Sequence, residues 1–149
     1  MKPFHPSLSL PASRRPLLLC GVALLAPFAL GFAAPARAAD AASLDAAFSE
    51  FQRANGGNDA AVEVAAERFG SLLLADPGNP VLLAYSGAAT AMRARTTLLP
   101  WRKIGFAEDG LAQIDKGLAL LTAGHDAPMY RGAPASLEAR FTAASVFLA

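Results

Sequence analysis

From Leu44 onward, apolar residues recur at three- and four-residue steps, and clusters of Asn, Gly and Pro cut that pattern into helix-sized pieces. Steps of three and four put side chains on one face of an α-helix, whereas a half-buried strand needs strict alternation. Leu44, Ala47, Phe48 and Phe51 mark a first helix, ended by Asn55-Gly56-Gly57. Asn58 or Asp59 caps a second, with Ala61, Ala65, Phe69 and Leu72 along one face. Asp76-Pro77-Gly78-Asn79-Pro80 then breaks the chain. Asn79 suits an N-cap and Pro80 a first helical turn, where its missing N–H costs nothing. The third helix is expected to run from Pro80 to about Thr97, stopped by Pro100. The fourth carries Leu111, Ile114, Leu118 and Leu121 on one stripe and is expected to end at Gly124. Residues 125–133 read as a loop, and Pro134 opens a fifth helix that reaches the C-terminus.

Composition supports the same fold class. After residue 38 there are 27 alanines against 11 Val, Ile and Thr together. Alanine has the best helix propensity, and β-branched residues lose rotamer freedom in a helix. The expectation is an all-α domain of about five helices, packed as helical hairpins.

Ala65, Phe69, Leu72 and Pro77 follow a definite spacing: a small residue, an aromatic four later, an apolar residue three later and a helix-stopping proline five later. Leu83 and Gly87 follow in the next helix, where a small residue lets two helices approach closely. This pattern resembles the second half of one tetratricopeptide repeat and the start of the next. Gly110, Ile114 and Gly117 repeat it 45 residues downstream of Ala65, Phe69 and Leu72, an excess of about 11 over the family's usual period of roughly 34. The excess lies in the segment Thr96 to Phe106. The resemblance covers approximately residues 58–123 and implies a short solenoid with a modified second hairpin, similar to repeats in exported bacterial proteins. It further implies a protein-binding or scaffolding role and brings no catalytic residues with it.

The first quarter of the chain differs in character. Lys2, Arg14, Arg15 and Arg37 all precede residue 39, while all 12 acidic residues lie at Asp40 or later. An uncharged run of 21 residues, Pro16 to Ala36, separates the basic start from the small-x-small triplet Ala36-Arg37-Ala38. A positive start, an apolar middle and a triplet suited to signal peptidase make residues 1–38 a secretory signal, cleaved after Ala38, with residues 39–149 as the helical-repeat domain. The expected destination is the periplasm or the exterior. The alternative is an uncleaved anchor, since 21 apolar residues span a bilayer, although Gly21, Pro27 and Gly31 interrupt the run. The sole cysteine, Cys20, leaves with the signal, so no disulfide, thiol nucleophile or cysteine metal ligand is expected in the domain.

After residue 38 nine basic residues face twelve acidic ones, a net charge of −3 that offers no general pull on nucleic acid. His125 is the only histidine there, beside Asp126 in the expected loop, with no second His or Cys to complete a metal site. None of the six remaining serines sits in a nucleophile elbow. Gly105, Gly110 and Gly117 lie scattered along an apolar-periodic segment instead of forming a phosphate-cradling loop. Gly110 and Gly117 are seven apart, nearly on one helix face, and are expected to pack against Gly87 and Ala91. Glu63 and Glu67, and the acids Glu108, Asp109 and Asp115, read as solvated helix faces. No catalytic, cofactor or metal site is therefore expected.

The distinctive segment is Arg93 to Lys103. Arg93, Arg95, Arg102 and Lys103 place four of the domain's nine basic residues within 11 positions, around its only tryptophan, Trp101. Two readings stand. In one, the segment binds an acidic or carboxylate-bearing protein partner with Trp101 as anchor. In the other, Trp101 plugs the core and the cations are merely solvated. At the chain end Phe141, Ala144, Phe147 and Leu148 leave an apolar face with no following helix to cover it, so residues 137–149 are a candidate for self-association or partner binding. The expected function is a non-catalytic exported adaptor or scaffold. A membrane-anchored accessory subunit is the alternative, and a small periplasmic enzyme a more distant one.

Overall fold

The computed structural model of the chain describes residues 36–148. The basic start, the apolar run, Cys20 and the candidate anchor lie outside the described residues. Five helices account for most of the rest, so the all-α expectation holds: α1 (Ala36–Asn55), α2 (Asp59–Ala75), α3 (Pro80–Thr96), α4 (Pro100–Ala119) and α5 (Ala135–Phe147). Three- and four-residue connections force α1 to α4 to run alternately up and down. The caps form as the sequence suggests. The Asn58 side chain accepts from the Ala61 amide at 3.2 Å, and that of Asn79 accepts from Val81 and Leu82 at 3.1 and 3.3 Å.

Three boundaries differ from expectation. The proline at 100 ends α3 and, like Pro80, also opens a helix, so the extra residues after Thr96 become the first turns of α4. That helix stops at Ala119 instead of Gly124. The Leu120 amide closes back onto the carbonyls of Lys116 and Gly117, and Thr122 then caps a separate 3-10 turn (Ala123–Asp126) through His125. The supposed loop 125–133 holds that turn and one strand of a small antiparallel hairpin, β1 (Met129–Tyr130) and β2 (Ala133–Pro134), with Tyr130 opposite Ala133. Arg131 and Gly132 link the strands at φ 50° and 85°, the positive-φ pair of a two-residue hairpin turn.

The core centres on α3, every residue of which from Pro80 to Ala89 is buried. On one side Phe48 and Phe51 of α1 and Phe69 of α2 surround Tyr85. Phe69 stacks on Tyr85 at 5.0 Å, and Phe48 and Phe51 each meet it edge-on at 4.8 Å. On a second side α4 lies against α3 through glycine. A methyl added to Gly110 would stand 2.6 Å from the Gly87 carbonyl and 2.8 Å from Ala91 Cβ, and one on Gly117 2.9 Å from the Pro80 carbonyl. The expected contact of Gly110 with Gly87 and Ala91 is thus present, and Gly117 continues it toward the start of α3. Against a third side α5 packs Ala135, Ala139, Thr142 and Ala143.

Candidate functional site

The connection from α3 to α4 forms a protruding knuckle at one end of the bundle. Leu99 is the N-cap of α4 and has no side chain able to hold the free amides; its carbonyl accepts from Arg102 and Lys103 at 3.0 and 3.1 Å. No acid sits in the first turn, and Arg102 and Lys103 place positive charge where the helix dipole favours negative. Trp101 is 68% exposed, Leu98 93% and Ile104 61%. The reading in which Trp101 plugs the core is therefore overturned. The ring, one residue inside an uncapped helix start, stands mostly in solvent, nine residues before the tight α3–α4 contact at Gly110.

The five residues of the basic-aromatic segment divide into two groups. Trp101, Arg102 and Lys103 lie together on the knuckle, all exposed. Arg93 and Arg95, on the last turns of α3, face α2 instead. Arg93 donates Nε to Glu63 Oε2 at 2.8 Å, pairs its second nitrogen with Oε1, and lies 5.2 Å over the Phe106 ring. That hydrogen bonding holds the Glu63 carboxyl below its usual range and raises Arg93. Arg95 donates to the Ala54 carbonyl and approaches Asp59 at 4.0 Å. These two arginines tie the first hairpin to α3 and are committed to that work. Sequence spacing could not separate the groups, since periodicity across Thr96–Pro100 is lost at the turn. Leu98, Leu99 and Ile104 join the knuckle, and their signal was an apolar run beside a proline.

The opposite end of the bundle carries the β1–β2 hairpin and an open groove. The Arg131 guanidinium sits 5.3 Å over the Phe48 ring, donates to Tyr85 Oη at 3.3 Å and lies 3.6 Å from Glu138. Tyr85 in turn donates to Glu138, which is buried on α5. Burial, followed by the Glu138 hydrogen bond, raises the Tyr85 phenol above its usual range. Tyr130 Oη accepts from Asn79 at 2.9 Å. These contacts anchor the hairpin beside a groove of about 620 Å³ between α1 and the end of α2. Leu44, Phe48, Leu72 and Met129 line it, with Asp45 and Asp76 at its edge.

His125 accepts the Thr122 amide on Nδ1 at 3.0 Å and so serves as a cap, while Asp126 accepts from Ser136. Glu67, Glu108, Asp109 and Asp115 are exposed. Among the described residues no cluster of three or more His, Cys, Asp or Glu side chains is placed to hold a metal ion, and no helix is long and apolar enough to cross a membrane. On α5 the face away from α3 exposes Leu137, Phe141, Ala144 and Leu148 at steps of four, three and four. Compared with known proteins, the chain matches no family model, no curated protein and no solved structure.

Proposed function

We propose that this chain is an exported, periplasmic or secreted helical adaptor that binds a protein partner without catalysing a reaction, its helical hairpins arranged in the manner of tetratricopeptide repeats. The supporting observation is the start of α4, where an uncapped N-terminus, two cations against the dipole and an exposed tryptophan coincide. Natural chains break several local rules at one place chiefly where function requires it. An aromatic anchor flanked by cations suits a partial apolar pocket rimmed by carboxylates. The outward stripe of α5, spaced as a helix-pairing seam, supports a second contact through residues 137–149, with another copy or with the partner.

Pull-down from periplasmic extract tests the adaptor reading. Arg102→Ala with Lys103→Ala should weaken capture while thermal stability stays within about 0.5 kcal/mol, because both side chains are solvated. Capture undiminished from the parent's in both this variant and Trp101→Ala would sink the reading. Light scattering tests α5: a soluble monomer whose residues 137–148 resist hydrogen exchange would show the stripe to be covered already.

A further inference from the structure

We propose that the groove between α1, α2 and the β1–β2 hairpin receives the α3–α4 knuckle of a second copy of this chain, giving head-to-tail association. The inference rests on the knuckle being a docking element and names its partner. The groove offers apolar walls at Leu44, Phe48, Leu72 and Met129, closed at its edge by Asp45 and Asp76. Arg131 also borders it, but its charge is met by Glu138. The site therefore asks for an apolar side chain followed directly by positive charge. Leu98, Trp101, Arg102 and Lys103 present that combination, exposed, on the same chain. At about 620 Å³ the groove falls within the range of roughly 300–1,000 Å³ typical of pockets that enclose a ligand-sized group.

The placement of the two surfaces makes the contact intermolecular. The groove lies beside Asn79, before the first residue of α3, and the knuckle follows its last residue, Thr96. A 17-residue helix separates them by about 25 Å, so no copy reaches its own groove. After pairing, one molecule keeps its groove free and the other its knuckle. Such a contact is heterologous and propagates into a chain of copies unless its rotation closes a ring. The α5 stripe takes no part in it.

The test uses the purified protein in the form its cell processes, followed by analytical ultracentrifugation. The parent is expected to form species that lengthen with concentration and shorten with added salt, because the paired charges are at the rim. Trp101→Ala with Arg102→Glu removes the knuckle, and Asp45→Lys with Met129→Lys removes the groove; all four positions are exposed, so the fold tolerates them. Each variant alone should no longer lengthen with concentration, its head-to-tail association weakened by about tenfold or more. Mixed together, they should form a dimer that grows no further, since one intact knuckle meets one intact groove. Should the doubly substituted groove variant fold poorly, Asp45→Lys alone should still weaken association. Persistent lengthening in either variant, no complementation on mixing, or lengthening abolished by Phe141→Glu alone would overturn the inference. So would a parent that is monomeric at high micromolar concentration. If that monomer still captures another protein through Trp101, the adaptor reading survives; if it captures none, both fail.

Discussion

Gly87 and Gly110 face each other so closely that a methyl group on Gly87 would lie 2.5 Å from the Gly110 carbonyl oxygen. The two backbones pack directly, and neither can move away without opening the α3–α4 interface. Gly110→Ala is therefore expected to cost about 1–3 kcal/mol, the usual range for overpacking, despite the gain in helix propensity. Gly105, on the same helix, has nothing within 4 Å of an added methyl. Gly105→Ala should stabilise by up to about 1 kcal/mol. Urea denaturation of both variants checks the contrast, and equal effects would show that the glycines are not a packing seam.

That seam was legible in the sequence because a spacing of seven and a run of small residues are both local facts. So were the caps, since Asn58 and Asn79 stand directly before apolar steps. The hairpin was not. Its turn uses Arg131-Gly132, and arginine at positive φ is held by Phe48, Tyr85 and Glu138, partners on three different helices. The Tyr85–Glu138 contact joins residues 53 apart, beyond the reach of any periodicity. Likewise, the early start of α4 was hidden because Trp101 and Ile104 bury against nothing, and exposed apolar residues leave no amphipathic stripe to read. Dividing Arg93 and Arg95 from Arg102 and Lys103 required knowing where α2 lies.

Tyr85 predicts a specific alkaline behaviour. Its phenol is raised, first by burial and then by its bond to Glu138, so folding favours the neutral form. The resulting stability is complete below the ordinary tyrosine value of about 10 and is lost as pH rises through the raised folded value. Tyr85→Phe removes the donor to buried Glu138 and should cost about 1–3 kcal/mol at neutral pH. It should also flatten the fall in denaturation midpoint as pH rises above about 10. A variant with the parent's alkaline slope would show that Tyr85 is not the titrating group.

Glu63 gives the opposite sign. The Arg93 hydrogen bonds lower its carboxyl, so its contribution is present above the ordinary carboxyl value of about 4.3 and is lost as pH falls through the lowered folded value. The Glu63 side chain is 54% exposed, and solvent screening keeps the effect of Glu63→Gln at neutral pH below about 1 kcal/mol. The clearer sign is in the acid limb, where the substituted chain should lose less stability than the parent between roughly pH 5 and 3. Identical acid limbs in the two proteins would show that the pair is not formed in solution.

Leu99 sets stability and binding against each other. As N-cap of α4 it leaves the first turn without a side-chain acceptor, and it is one of the exposed apolar residues of the knuckle. Leu99→Asp supplies an oxygen for the free amide of Trp101 and a negative charge at the helix start, together worth about 1 kcal/mol. The same change places an acid within a surface that, on the adaptor reading, seeks carboxylates on its partner. Thermal midpoint should therefore rise while partner capture and self-association fall. A merely structural role for Leu99 moves only the first readout, so higher stability with unchanged capture would remove the leucines from the docking surface. Leu99→Asn separates cap from charge: it should keep most of the stability and lose less of the binding, because it adds no repulsion toward an acidic partner.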